Sequence, residues 1–348
     1  MKVLVTGGAG FIGSHVAEYF AKNGYDVEIL DNLSRAKLLK KDDSQALHNW
    51  NYLKKNYPKI KLTKGDTRDL QAVKVAANEA DVILHIAGQV AVTTSVTDPK
   101  TDFETNALGG FNVLEAARAN DATVVYTSTN KVYGENVNKI SVIEGKTRYA
   151  FSDSKYKKGI PEAFSTDLTG HSPYGCSKFT TDVYAQDYAD TYGLRTGVFR
   201  MSCIYGERQF GVEDQGWVAW FVIAALNGKP ITIYGDGKQV RDVLHVSDLV
   251  QAFDKFLNSK TKHDVFNIGG GAKNTLSLIE LLEIIKKQAS KTPKLSYTDW
   301  RPADQKVYVS DISKAKEILS WVPKVTPEAG VKKLIDWCSA NKQLFAKS

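Results

Sequence analysis

The chain has 348 residues, of which 43% are hydrophobic and 24% are charged, and this composition is typical of a folded protein and excludes a disordered or fibrous one. Its net charge of +7 would suit an anionic partner, although solubility more often explains such a surplus. The lysines are dispersed apart from a short cluster at residues 35–41, so we expect no nucleic-acid partner.

Cysteine and histidine positions limit the compartment and the chemistry. Cys176, Cys203 and Cys338 are far apart, which fits neither a disulfide framework nor a metal site, and the six histidines show no paired spacing. We therefore expect no metal and a reducing compartment. The first residues run directly into a glycine cluster and no apolar run is long enough to span a membrane, so the sequence predicts a cytoplasmic protein without a membrane partner.

The first half of the chain alternates short β-branched runs with helical patterns. The predicted strands cover residues 2–6, 27–30, 60–63, 82–86, 123–128 and 195–200. The predicted helices cover residues 13–23, 70–78 and 102–118. This alternation predicts an α/β fold with a Rossmann-type, doubly wound parallel sheet.

The pattern changes after residue 205, where glycine-rich turns interrupt it before predicted helices at residues 276–290 and 330–341. We expect two domains, with residues 1–205 forming the nucleotide-binding domain. Residues 206–348 would form most of a smaller substrate-binding lobe over the carboxyl ends of the strands, with chain crossing between the lobes allowed. The long polar stretch at residues 135–172 is interpreted as a functional flap.

A glycine pattern follows the first predicted strand. Gly7, Gly10 and Gly13 stand in a Gly-x-x-Gly-x-x-Gly arrangement, with Phe11 and Ile12 inside it. Glycine at these positions permits a tight turn and lets backbone N–H groups at a helix start approach a pyrophosphate. The context of strand, turn and helix predicts a dinucleotide site.

The second predicted strand ends at Asp31 and Asn32. An acidic side chain at this distance accepts hydrogen bonds from an adenosine ribose and repels a 2′-phosphate, so NAD is favoured over NADP. A capping role after the strand is the alternative for Asp31. Arg35, four residues later, leaves NADP as a second candidate.

Tyr174 and Lys178 are four residues apart, so in a helix they would share one face. The lysine and a bound nicotinamide would stabilise the tyrosinate and lower the tyrosine pKa from about 10 toward neutrality, which would let it take a proton from a sugar hydroxyl. Outside this fold context, the same spacing is more often an ordinary surface pair.

These motifs resemble those of the extended short-chain dehydrogenase/reductases, the NAD-dependent epimerase/dehydratase family, over nearly the whole chain. In that family a Ser or Thr lies three positions before Val-Tyr-Gly, and residues 126–134 read Tyr-Thr-Ser-Thr-Asn-Lys-Val-Tyr-Gly. The resemblance implies a catalytic triad of Thr129, Tyr174 and Lys178. It also implies Asp66 beside the adenine, Gln89 near the cofactor and Lys178 on the nicotinamide ribose.

The resemblance further implies a nucleotide-diphosphate sugar as substrate, with Arg241 and Arg301 orienting the diphosphate. Many relatives carry an asparagine that contacts the phosphates after the strand ending at residue 200. This chain has Met201-Ser202-Cys203 there, so that contact does not carry over. A homodimer or homotetramer built on helices near residues 102–118 and 173–192 is also implied.

Four strings resemble a branch that inverts C2 of CDP-linked hexoses more closely than they resemble the 4-epimerases; they cover residues 128–134, 171–178, 214–217 and 237–242. This closer resemblance implies a transient 2-keto sugar and a CDP-sugar substrate. We interpret Asn130, Gln215 and Trp217 as residues that, with Thr129, turn C2 toward the nicotinamide. A UDP-sugar 4-epimerase remains the alternative.

Two other functions are less favoured. A 4,6-dehydratase of this family carries an Asp-Glu pair after the active-site Thr, and here Asn130 and Lys131 cannot supply that acid and base. A non-catalytic NAD-sensing protein could share the fold, but such proteins commonly lose the Tyr or the Lys.

Overall fold

The computed structural model describes residues 1–34, 43–301 and 304–345. Its larger lobe is built on a sheet of seven parallel strands. Across the sheet these are β12 (His263–Ile268), β8 (Thr196–Met201), β5 (Thr123–Thr129), β4 (Val82–His85), β1 (Lys2–Thr6), β2 (Asp26–Asp31) and β3 (Lys61–Lys64). The doubly wound parallel sheet is thereby confirmed. Its outermost strand, β12, has no strand pattern in the sequence and comes from beyond residue 206, so the chain crosses back into this lobe.

Helices cover both faces of this sheet. One face carries α1 (Phe11–Lys22), α2 (Asp43–Asn56) and α9 (Val246–Leu257). The other carries α3 (Leu70–Ala76), α6 (Gly109–Asn120) and α7 (Ser172–Tyr192). Neighbouring strand residues alternate between the two cores: Val3 and Val5 pack under α1, whereas Leu4 packs under α6, as the two-residue period of a strand requires.

The predicted helix at residues 102–118 is in fact divided. Two short helices, α4 (Val92–Thr97) and α5 (Pro99–Phe103), lead into a π-helical turn at Glu104–Leu108, and α6 begins at Gly109. The widened turn changes the direction in which its side chains point, a device that is frequent at functional sites.

The smaller lobe has its own core around α8 (Trp217–Leu226), α10 (Leu278–Ala289) and α12 (Pro327–Ala340). β10 (Ile231–Tyr234) pairs with β14 (Leu295–Thr298). β11 (Val240–His245) pairs with β9 (Cys203–Tyr205), β13 (Thr275–Ser277) and β15 (Val307–Tyr308). A last short helix, α11 (Ser313–Leu319), packs against the edge strand β12 of the large sheet.

The polar stretch at residues 135–172 is ordered on the smaller lobe. It contains the hairpin of β6 (Val142–Glu144) and β7 (Tyr149–Phe151), whose Arg148 pairs with Glu280. The Tyr149 hydroxyl donates to Asp236 at 2.6 Å. These contacts attach the segment to the smaller lobe through both charged and neutral side chains.

In the described ranges, no helix combines the length and the apolar character needed to cross a bilayer.

A tight contact fixes α7 against α6. A Cβ atom at Gly110 would overlap the Thr181 hydroxyl, and this hydroxyl donates to the Asn106 carbonyl at 2.9 Å. The absence of a side chain at Gly110 therefore sets how closely α7 approaches α6.

We expect Gly110→Ala to lower the free energy of unfolding by about 1–3 kcal/mol, because the added methyl overpacks this contact. Adding Thr181→Ala should recover part of the loss by vacating the same space. Urea denaturation of both single variants and the double variant measures this coupling. Additive losses would show that Gly110 does not act through Thr181.

Candidate active site

The carboxyl ends of the central strands bring the predicted site residues to one edge. Register pairs Thr6 of β1 with His85 of β4, and His85 with Tyr126 of β5. The loops after these strands therefore lie side by side. The first two of these loops carry the glycine pattern and Gln89, and Thr129 is the last residue of β5 itself.

The glycine loop has no space for a side chain at two of its three glycines and has space at the third. Gly7 has a φ of +69°, and a Cβ there would lie 2.7 Å from the Ala87 nitrogen. A Cβ at Gly13 would overlap the Gly7 carbonyl, whereas one at Gly10 would meet only that carbonyl, at 3.1 Å. The surface over Gly10 is thus free for a ligand.

Helix α1 begins at Phe11 with Gly10 as its N-cap, and no side chain caps it. The N–H groups of Phe11, Ile12 and Gly13 have no preceding helical turn to bond with. They lie beside the open surface over Gly10, so the loop fits the pyrophosphate of a dinucleotide.

Asp31 braces this loop. Its carboxylate accepts hydrogen bonds from the Ala9 N–H at 2.9 Å and the Leu33 N–H at 2.8 Å. Asp31 therefore links the end of β2 to the glycine loop. Arg35, the residue that kept NADP as a candidate, lies outside the described residues.

Asn32 and Asp66 are brought together next to Asp31. The Asn32 amide donates to the Asp66 carboxylate at 2.9 Å, and Arg68 donates to both Asp66 oxygens. Burial raises the pKa of Asp66, but the hydrogen bonds from Arg68 and Asn32 outweigh it and lower the pKa to about 2. Asp66 is therefore an ionised acceptor at the end of the site away from β5.

Thr129, Tyr174 and Lys178 come together at the end of β5. Thr129 is the last residue of β5, and α7 begins at Ser172, so Tyr174 lies in its first turn and Lys178 one turn later. The Thr129 hydroxyl lies near enough to the Tyr174 phenol to affect its pKa. The Tyr174 N–H donates to Ser95 at 3.1 Å, which holds the start of the helix.

Lys178 is buried, and its surroundings offset only part of the cost of burying its charge. Its ammonium lies 4.4 Å from the centre of the Tyr126 ring, a cation–π contact. Burial lowers the pKa of Lys178 to about 7, opposed by the charges of Asp102 and Asp182. A lysine that titrates near neutrality is typical of a functional group.

The pKa of Tyr174 differs from the expected fall toward neutrality. Burial raises it to about 12, although the nearby Thr129 hydroxyl acts in the opposite direction. The protein alone thus keeps Tyr174 protonated. The expected lowering has to come from positive charge that arrives with a ligand.

A buried polar network lies next to the triad, and most of its residues were not predicted from the sequence. The Gln89 amide donates to Asp102 at 2.7 Å, Ser177 donates to Asp102 at 2.5 Å, and Asn106 donates to Ser177 at 3.0 Å. Gln89 accordingly uses its side chain inside the protein. Asn106 lies in the π-helical turn, and the Gly109-Gly110 pair inside a predicted helix was the available signal of close packing there.

The two predicted diphosphate arginines are both paired. Arg241 donates to Asp304 at 2.5 Å, and Arg301 lies 3.2 Å from Asp214. The guanidinium of Arg301 also stacks on Tyr234, 3.9 Å from the ring centre. Pro302 and Ala303 of the Arg301 motif lie outside the described residues.

Trp217 and Gln215 lie at the start of α8 and in the loop ahead of it. The Trp217 indole lies 3.5 Å from the Cys203 sulfur, just beyond β8, whose Met201 pairs with Thr129. The Gln215 N–H and carbonyl pair with Val212 at 2.9 Å. The loop ahead of α8 is therefore held against β9, and its backbone is fixed.

Comparison with known proteins agrees with this geometry. Residues 3–269 match the model of the NAD dependent epimerase/dehydratase family. The chain is 42% identical over 351 residues to the CDP-paratose 2-epimerase of Salmonella typhi, covering 98% of this chain and 100% of the relative. It is 33% identical over 346 residues to a putative UDP-glucose 4-epimerase of Methanocaldococcus jannaschii, covering 98% and 99%.

Among solved structures, the NAD complex of the UDP-glucose 4-epimerase from Thermus thermophilus is similar over 98% of this chain and 100% of that chain, with 31% identity and a TM-score of 0.80. Family match, identity and fold all point the same way. The chain belongs to the NAD-dependent epimerase/dehydratase family and is an NAD-dependent epimerase of nucleotide-linked sugars.

Proposed function

We propose that this enzyme epimerises C2 of a CDP-linked hexose through a transient 2-keto sugar. The observation that carries the proposal is the junction of Thr129, Tyr174 and Lys178 at the end of β5. The 42% identity to a CDP-paratose 2-epimerase supports the choice of carbon and nucleotide.

The triad residues divide the chemistry as follows. Bound NAD supplies reversible oxidation of the sugar carbinol and is regenerated in each cycle. Tyr174 takes the proton of the C2 hydroxyl and later returns it, while Thr129 bridges Tyr174 and the reacting oxygen by hydrogen bonds. Lys178 holds the nicotinamide ribose, and its ammonium favours the tyrosinate electrostatically.

Cofactor binding is assigned to the carboxyl edge of the sheet. The pyrophosphate would lie over Gly7, Gly10 and Gly13 and accept hydrogen bonds from the N–H groups of Phe11 and Ile12. Asp31 would bind the adenosine ribose beside Asn32, with Asp66 near the adenine. Gln89 would contribute by shaping the cofactor wall, since its amide is bonded to Asp102.

The two lobes divide the ligands. Residues 1–205 would bind NAD and supply the triad, and residues 206–348 would bind most of the nucleotide sugar. Arg241 and Arg301 would exchange part of their bonding with Asp304 and Asp214 for the diphosphate. Asn130, Gln215 and Trp217 would hold the hexose so that C2 lies within the roughly 3.5 Å that reaction requires.

We also propose a cytoplasmic homodimer or homotetramer. Phe111 on α6 and Tyr184 on α7 are exposed, and their ring centres lie 6.0 Å apart, forming an apolar surface across these two helices. A second copy packing its α6 and α7 here would bury both rings. Sedimentation of the purified protein as a monomer would contradict this assignment.

A substrate panel separates the proposal from its alternative. The 33% identity to a putative UDP-glucose 4-epimerase favours UDP-sugar 4-epimerisation as the second candidate. We expect a CDP-hexose to be inverted at C2 faster than any UDP-hexose is inverted at C4, with the inverted carbon assigned by NMR. Faster inversion at C4 of a UDP-sugar would favour the alternative.

We expect Tyr174→Phe to bind the nucleotide sugar normally and to lose at least about a hundredfold in turnover, because it removes the proton acceptor and leaves the ring. Tyr297→Phe is the matched control, since Tyr297 is 61% exposed. Steady-state kinetics together with equilibrium binding make the comparison. Near-normal turnover of Tyr174→Phe would exclude Tyr174 as the base.

Two variants at Asp31 separate its charge from its bracing of the glycine loop. Asp31→Asn keeps one oxygen acceptor and should mainly relax discrimination against NADP, because the charge that repels a 2′-phosphate is lost. Asp31→Ala should in addition weaken NAD retention. Cofactor released from each purified variant is quantified by chromatography, and unchanged selectivity in both variants would leave Asp31 with a capping role alone.

A further inference from the structure

Lys131 lies two residues after Thr129, in the first turn of the 3₁₀ segment Asn130–Lys139. Its N–H donates to the Thr129 hydroxyl at 3.2 Å. His171 Nδ1, from the residue that precedes α7, lies 3.4 Å from its carbonyl oxygen. The backbone of Lys131 is thus fixed between two elements of the triad, so its side chain starts from a defined position beside the reacting carbon.

The Lys131 ammonium makes no hydrogen bond or ion pair within residues 1–34, 43–301 and 304–345. The two arginines assigned to the diphosphate are both paired, Arg241 with Asp304 and Arg301 with Asp214. Lys131 is therefore the cation in this group that has donors to offer without first breaking an ion pair.

Four titratable groups surround the Lys131 ammonium: Arg241, Asp304, Cys203 and Glu135. Asp304 is held against the same 3₁₀ segment, since the Asn138 amide donates to its carbonyl at 3.1 Å. Burial and the neighbouring Arg241 lower the pKa of Lys131, opposed by Asp304, Cys203 and Glu135. Asp304 is already paired with Arg241, so an anionic ligand would offset the cost of the partly buried Lys131 charge.

The chemistry of the substrate locates that anion. In a nucleotide sugar the diphosphate is attached to C1, and C2 is bonded directly to C1, whereas C4 lies across the ring. Presenting C2 to Tyr174 and Thr129 therefore brings the β-phosphate next to the triad. Presenting C4 moves the β-phosphate away from it. A cation two residues from Thr129 matches the first arrangement.

We propose that the Lys131 ammonium binds the β-phosphate of the substrate and thereby selects C2 as the carbon that faces the nicotinamide. The inference deepens the proposed function and rests on it for the choice of C2. Lys131 acts here as a specificity-determining residue: it contacts the diphosphate, and the three triad residues keep their roles in proton transfer.

The test compares CDP with CMP, which lacks the β-phosphate, by calorimetric titration of the NAD-bound enzyme. Lys131→Met removes the charge at nearly constant volume and should weaken CDP binding by about tenfold, the loss of one charge-assisted contact. CMP binding should stay within about twofold, which also shows that the nucleotide site is folded. Lys131→Arg should restore much of the CDP affinity.

Lys255→Met is the matched control, because it also removes one positive charge from an exposed position on α9, and it should change neither affinity. Equal losses for CDP and CMP in Lys131→Met, or no loss for either, would overturn the contact. With the intact substrate, the variant should also have a lower kcat/KM for inversion at C2, through a raised KM. An unchanged kcat/KM for inversion at C2 would overturn the selecting role.

The binding comparison involves no turnover, so it is independent of which carbon is inverted. A wild-type enzyme that inverts C4 would contradict the proposed function, while the ratio of diphosphate to monophosphate affinity would still decide whether Lys131 meets the β-phosphate. If UDP binds more tightly than CDP, the pair UDP and UMP replaces CDP and CMP in the same experiment.

Discussion

Parallel pairing of β1, β4 and β5 is the constraint on which the active site depends. Because these strands run in the same direction and in register, the glycine loop, the Gln89 loop and Thr129 emerge at one edge. A single-residue slip of β5 would turn Thr129 toward the opposite face. Helix α7 then brings Tyr174 and Lys178 to the same edge, and its distance from α6 is set by the Gly110 contact with Thr181.

The titratable side chains of the triad are poorly solvated, and their ionisation depends on the charge of the bound ligand. Lys178 is buried beside Tyr126, and burial moves its pKa and that of Tyr174 in opposite directions, to about 7 and about 12. In this state burial favours the neutral form of both groups. A positively charged ligand next to Tyr174 would stabilise the tyrosinate. Proton transfer therefore requires the bound ligand in addition to the side chains of the protein.

Much of the fold and of the triad could be predicted from the sequence because local patterns encode them. The β-branched runs predicted six of the seven strands, and the spacing from Tyr174 to Lys178 predicted their shared helical face. β12 was missed because its sequence, His263–Ile268, mixes polar and apolar residues at an edge. The π-helical turn was missed because its cause is tertiary: Asn106 bonds to Gln89 and Ser177, residues distant in the sequence.

The smaller lobe was harder to predict for the same physical reason. Its motifs indicated Arg241 and Arg301, but not that Asp304 and Asp214 neutralise them. Nor does a lysine after Asn130 indicate by itself that its ammonium lacks a partner among the described residues, since that depends on which side chains the other lobe brings near it. The balance of charged side chains around a ligand depends on how the two lobes come together.

Oxidation and return at C2 can be followed by isotope labelling. A CDP-hexose deuterated at C2 is incubated with the enzyme and the product is analysed by NMR. We expect the product to be inverted at C2 and to keep the deuterium there, with little exchange into solvent, whereas deuterium at C4 should leave the rate unchanged. Loss of the C2 label to water, or inversion at C4, would exclude oxidation and return at C2.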